Sequence, residues 1–138
     1  MRLFQMPFFV LALCVFTVEI EKAIERRPEV RKLFELAQTK RASFGIARQT
    51  LDADCCKQAQ RWAERMAAAD RMQHGGGEQI IAVGPTTSAG VLRVWLNSPP
   101  HKSWIFCKRL RCGFGCAKSK SGRTYWAGVY KNKNPKTK

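Results

Sequence analysis

His74 and His101 are the only two imidazoles in the 138-residue chain. Each follows an expected helix end, and each borders a loop of breaker residues: Gly75-Gly76-Gly77 after the first, Pro99-Pro100 before the second. Neither sits inside an apolar stripe. Neutral imidazoles that converge on one point can hold a divalent transition ion, and two nitrogens alone suit zinc or copper at modest affinity. Glu78, four residues beyond His74, is a neighbouring carboxylate that can complete the shell or orient a bound water, which makes it the candidate catalytic group. The competing reading puts both rings on the surface or in structural hydrogen bonds. Ser98 and Ser103 flank His101 as conceivable nucleophiles, yet Ser98 equally suits the turn before Pro99. The chain has neither a Gly-x-Ser-x-Gly elbow nor a His-Glu-x-x-His pair, so the common hydrolase machineries find no support.

The elements that must position these rings are legible from periodicity. Pro28 can open a helix in which Val30, Leu33, Phe34 and Ala37 share a face until Gly45. Arg48 to Leu51 reads as a short connector that an extended form would also suit. Asp52 or Asp54 can cap a second helix with Cys55, Ala59, Trp62, Ala63, Met66 and Ala67 on one side, ending near Met72. Ile80 to Val83 is a brief apolar run, and Thr87 or Ser88 starts a third helix that Pro99-Pro100 stops, with one more turn over His101 to Cys107. Arg111 to Lys118 and Arg123 to Tyr130 read as a hairpin, with Tyr125, Ala127 and Val129 on one face and Trp126 on the other. Trp62 and Trp95 are expected in the core, while Trp104 can flank a cleft or cover the core. The whole predicts an α+β domain, layered α-β-α, with a small antiparallel sheet flanked by helices.

Twenty-five Lys and Arg against ten Asp and Glu give a formal charge of +15, and every acidic residue lies at or before Glu78. Such a surface steers anions toward itself and excludes a free-standing acidic regulator. Arg2 followed by the uncharged run Phe8 to Val18 reads as a secretory signal over residues 1–18, too short to span a bilayer, so no transmembrane anchor is expected after processing. Cys55, Cys56, Cys107, Cys112 and Cys116 would then occupy an oxidising compartment. Disulfides are expected between the adjacent pair and the later three. Residues 132–138 form a basic tail.

Four segments in order carry a resemblance. Ala59 to Ala67, Met72-Gln73-His74-Gly75-Gly76, Glu78 to Gly84 and Trp95-Leu96-Asn97-Ser98-Pro99-Pro100-His101 resemble successive motifs of the CAP superfamily, the cysteine-rich secretory, antigen 5 and pathogenesis-related proteins. Gly113 to Ala117 and Tyr125 to Tyr130 resemble its terminal hairpin, which places the domain over residues 28–131 in the style of the bacterial short forms. The resemblance implies an exported or cell-envelope protein whose cleft floor carries His74, Glu78 and His101, with the histidines as metal ligands and the glutamate outside the first coordination shell. Gln79 and Pro100 stand where the family usually has Asn and Gly, and no acidic residue follows Glu78 to supply a second glutamate.

The leading expectation is therefore a secreted or periplasmic monomer that binds a small ligand or a zinc or copper ion in this cleft, without established catalysis. Two alternatives stand beside it. One is a metal- or Glu78-assisted hydrolase. The other is a basic adhesion module for anionic envelope polymers or lipids, since export does not favour an intracellular nucleic acid as partner.

Overall fold

The computed structural model describes residues 24–132. The secretory signal expected over residues 1–18 and all but the start of the basic tail lie outside them. A 3-10 turn, Ile24–Arg26, leads into α1 (Pro28–Ser43), followed by β1 (Thr50–Leu51), α2 (Ala53–Ala69), β2 (Ile80–Val83), α3 (Ser88–Leu96), α4 (Pro99–Ile105), β3 (Arg111–Lys118) and β4 (Thr124–Lys131).

The strands form one sheet in the order β1-β3-β4-β2. β3, β4 and β2 are antiparallel, with Phe114 opposite Gly128 and Ile80 opposite the same glycine from the other side. β1 adds to the edge in parallel, pairing Thr50 with Arg111, so the sheet is mixed rather than wholly antiparallel. A two-residue strand was not separable from a connector in the sequence because period-2 alternation needs more positions to register.

Helices cover both faces. α2 packs across β3 and β4 on one side, and α1 and α3 lie on the other. The hairpin alternates as expected: Tyr125, Ala127 and Val129 join α2's apolar face, while Trp126 and Phe114 join the layer built on α1 and α3. α2 sits very close to the sheet because β3 presents Gly113 and Gly115 to it. A Cβ on Gly113 would fall 2.1 Å from Cys56 N, and one on Gly115 would fall 2.4 Å from Gln60 Cα. Beyond its short pairing with β1, the outer edge of β3 is satisfied by a side chain. Gln60 Oε1 accepts from Cys116 N at 3.1 Å, and Gln60 Nε2 donates to Cys116 O at 2.9 Å.

The ends of α2 explain its span. Asp52, rather than Asp54, is the cap, its carboxylate accepting from Cys55 N at 2.9 Å while Arg111 closes on it from β3. The helix stops at Ala69, earlier than the apolar spacing suggests, because Asp70 turns left-handed at φ 47°. Tyr125 Oη and Arg123 Nε then hold the Asp70 carboxylate at 2.8 Å and 3.2 Å. That conformation aims the chain into the loop carrying His74. On the opposite layer, buried Arg41 donates to the carbonyls of Ala47, Ile105 and Cys107, which fixes the end of α4 against α1.

The expected disulfides are absent among the described residues, where all five cysteines are free thiols. They are divided between layers and partners, although Cys56 and Cys112 share one buried cluster. Cys55 faces the α2 layer whereas Cys56 and Cys112 belong to the opposite one, Cys116 Sγ points to Glu29 Oε1 at 4.0 Å, and Cys107 Sγ receives the Gln49 amide at 4.0 Å.

Candidate functional site

Three consecutive glycines join α2 to the Glu78 segment, and their backbone builds the site. Glu78 has a fully buried side chain. Its Oε1 accepts from Gly75 N at 2.9 Å and faces His74 Nδ1 at 3.0 Å, while Oε2 accepts from Gly76 N at 2.7 Å. A buried carboxylate is tolerated only when donors replace its lost water, and these three groups do so. The carboxylate can only accept, so in the neutral His74 ring Nδ1 carries the proton and Nε2 keeps its lone pair. The His74 side chain is 58% exposed, which leaves that lone pair at the surface of the loop.

The glycines are required by what lies beneath them. Trp62 rises from α2 under the loop, its indole N–H donating to Gln73 O at 2.9 Å. A Cβ on Gly76 would meet the Trp62 ring at 2.3 Å, and Gly75 and Gly77 both adopt positive φ. Gln58 closes the loop from outside by donating to Gly76 O at 3.1 Å.

His101 approaches from the other direction, in the first turn of α4. Pro99 and Pro100 occupy positions where a helix has no intrahelical use for the N–H, so the double proline starts this helix rather than merely stopping the one before it. Burial, and secondly the charge of His74, hold the His101 imidazole below its ordinary pKa. A lowered pKa favours the neutral form of the ring. His101 Nδ1 is buried and has no hydrogen-bond partner among the described residues. Glu78 contacts His74 directly. No three His, Cys, Asp or Glu side chains among the described residues are grouped as a metal-ligand set.

The model of the cysteine-rich secretory protein family, CAP, matches residues 34–130. The chain belongs to the CAP family. No curated protein matches this CAP domain, but solved structures do. An outer surface protein from Borrelia burgdorferi superposes with a TM-score of 0.62 at 16% identity, covering 75% of this chain and 92% of that one. MpPR-1i gives 0.56 at 17% identity, over 78% and 88% of the two chains. An extracellular protein with an SCP domain from Bacillus anthracis gives 0.55 at 16% identity, over 75% of this chain and 40% of that one. At such identities the likeness is one of fold.

Within this CAP domain the remaining sequence candidates find structural places. Ser103 Oγ donates to Pro100 O at 2.7 Å, a turn contact that occupies the hydroxyl. Trp104 packs on Tyr130 at 6.0 Å and under the Arg109 guanidinium at 4.9 Å, so it covers the core rather than the cleft. Trp95 is fully buried, its N–H donating to Ile81 O at 3.0 Å. Gln79, in place of the family's usual Asn, accepts from Tyr130 N at 2.7 Å and so fastens the Glu78 segment to β4. Gly75 and Gly76, whose N–H groups hold Glu78, read in the sequence only as loop punctuation. Their signal was a carboxylate two and three residues downstream, within reach of two consecutive backbone N–H groups.

Proposed function

We propose that this CAP domain is an exported binding module whose cleft takes a ligand on the His74 and His101 imidazoles, with a zinc or copper ion as the occupant their chemistry suits. The observation that carries this reading is the contact from Glu78 to His74 Nδ1, which fixes the tautomer and leaves Nε2 as a lone-pair donor. Carboxylate-to-imidazole contacts of this kind are the usual support behind a metal-binding histidine. His101 contributes a second ring kept neutral by burial, and a neutral ring is the ligating form. Such an ion, when bound, would polarise whatever group it meets. The chain's own part is to orient His74, hold Glu78 away from the ion and bring His101 alongside.

Binding is favoured over hydrolysis because Glu78 is already committed. Both its oxygens accept backbone N–H groups and one also accepts a hydrogen bond from His74 Nδ1, an arrangement that positions a ring rather than one that frees a base. Export agrees with the likeness to proteins named as outer surface and extracellular. Among the described residues no helix is long and apolar enough to cross a membrane.

Calorimetric titration with zinc and with copper tests the reading on the wild type, His74→Ala and His101→Ala. One equivalent bound by the wild type and lost in both variants is the expected result. Equal uptake by all three would remove the histidines as ligands.

A further inference from the structure

On the layer opposite the Glu78 loop, three helices enclose a groove of about 480 Å³. Its floor is apolar: Leu36 from α1, with Leu92 and Leu96 from α3. Phe44, just past the end of α1, forms one wall and is 62% exposed, tilted against Phe106 at 5.1 Å. Phe44 and the leucines line the same groove, and it is contiguous apolar surface, rather than one exposed ring, that marks an interaction site.

The rim is cationic. Lys40, Arg93 and Lys102 come from α1, α3 and α4, and no acidic residue lines the groove. Glu35, the acidic residue nearest in α1, is engaged by Arg48 at 2.7 Å. Two of the cations lie along the aromatic wall, Lys40 Nζ 5.9 Å from the Phe44 ring and Lys102 Nζ 5.9 Å from the Phe106 ring. Cationic and aromatic groups are thus interleaved along this wall, a combination suited to a lipid interface.

We propose that this groove docks the chain on an anionic phospholipid surface, Phe44 entering the acyl boundary while Lys40, Arg93 and Lys102 meet the headgroup phosphates. Charge complementarity selects the occupant: three cations without a carboxylate suit a surface of uniform negative charge, which attracts each nearby Lys or Arg. A folded protein partner would need directed polar contacts, and Asn97 is the one uncharged polar side chain lining the groove. The site is separate from the His74 cleft and stands whether or not that cleft binds metal. It also differs from the basic tail over residues 132–138.

Co-sedimentation of the full chain with phosphatidylcholine vesicles, with and without phosphatidylglycerol, tests it. Binding should require phosphatidylglycerol. Phe44→Ser should weaken it by about tenfold or more, with Phe44→Leu restoring it, and a Lys40→Ser, Arg93→Ser, Lys102→Ser triple variant should weaken it on the order of a hundredfold. Lys118→Ser with Lys120→Ser, which removes charge from the hairpin, should bind nearly as the wild type does. All these side chains are at the surface, and circular dichroism verifies that each variant folds. The proposal is overturned if the wild type does not sediment with phosphatidylglycerol vesicles, if Phe44→Ser binds like the wild type, or if the hairpin variant loses as much as the groove variant.

Discussion

Glu78 Oε1 stands 3.0 Å from His74 Nδ1, and the same oxygen accepts from Gly75 N, so one buried atom sets both the ring and the loop that carries it. The loop, the tautomer and the exposed Nε2 lone pair follow from a single carboxylate.

Replacing Glu78 should therefore injure binding and stability together. Glu78→Gln puts an amide where one oxygen accepts Gly76 N, leaving a buried N–H facing another, at about 1–3 kcal/mol. Zinc affinity should fall about 10- to 100-fold through the lost support of His74. Calorimetry with urea denaturation of the same variant reads both effects.

Gly113→Ala should be among the most damaging small substitutions. The new methyl would fall 2.1 Å from Cys56 N, and the atom it meets is helix backbone rather than the end of a flexible side chain. Pushing α2 from β3 should cost about 3 kcal/mol or more, read as a lower denaturation midpoint. Gly76→Ala should act locally instead. It displaces the loop from Trp62 and lowers ligand uptake more than global stability, a split that comparing midpoint with affinity would reveal.

The buried thiols Cys55, Cys56 and Cys112 should be inert while the protein is folded. Burial pushes Cys55 and Cys56 up to about 12 and Cys116 up to about 11, and burial also raises Cys112 well above its ordinary range. Thiolate is the reactive form. A chromogenic disulfide reagent at pH ~8 should leave Cys55, Cys56 and Cys112 unmodified until denaturant is added, and rapid native-state labelling of these three would contradict the packing described.

Acid should destabilise the fold through two aspartates. Burial raises Asp52, but its hydrogen bonds to Arg111 and Cys55 outweigh that and leave it below the usual 3.8. Ser121 and then Tyr125 hold Asp70 lower still. Both folded pKa values are depressed, so their stabilisation is complete above the unfolded carboxylate range and is lost as pH falls through the folded values. Melting temperature should drop below about pH 4. Asp52→Asn should be less stable at neutral pH yet show a shallower acid limb.

The layered fold was legible because long amphipathic helices and an alternating hairpin impose strong periods. Val30, Leu33, Phe34 and Ala37 are buried as their spacing required, and Trp126 faces away from Tyr125 and Val129 as a strand demands. What was hidden depends on contacts between distant positions. β1 exists because Thr50 finds Arg111, far along the chain. α2 ends early because Tyr125 and Arg123 reach back to Asp70. The cysteines sit in an order that suggested cross-links, and Cys56 and Cys112 do share one buried cluster, but all five are free thiols among the described residues. His74, Glu78 and His101 were visible by residue type, whereas the Gly75 and Gly76 N–H groups that secure Glu78 carry no side-chain signal at all.

The claim on which the proposed function rests is that His74 and His101 share one cleft, and it can be measured without any metal. Proton titration of the His101 imidazole by heteronuclear NMR, in wild type and in His74→Ala, isolates the charge of one ring acting on the other. The account predicts a His101 pKa below the ordinary 6.5 in the wild type that moves upward when His74 is removed. An unchanged His101 titration in that variant would contradict it.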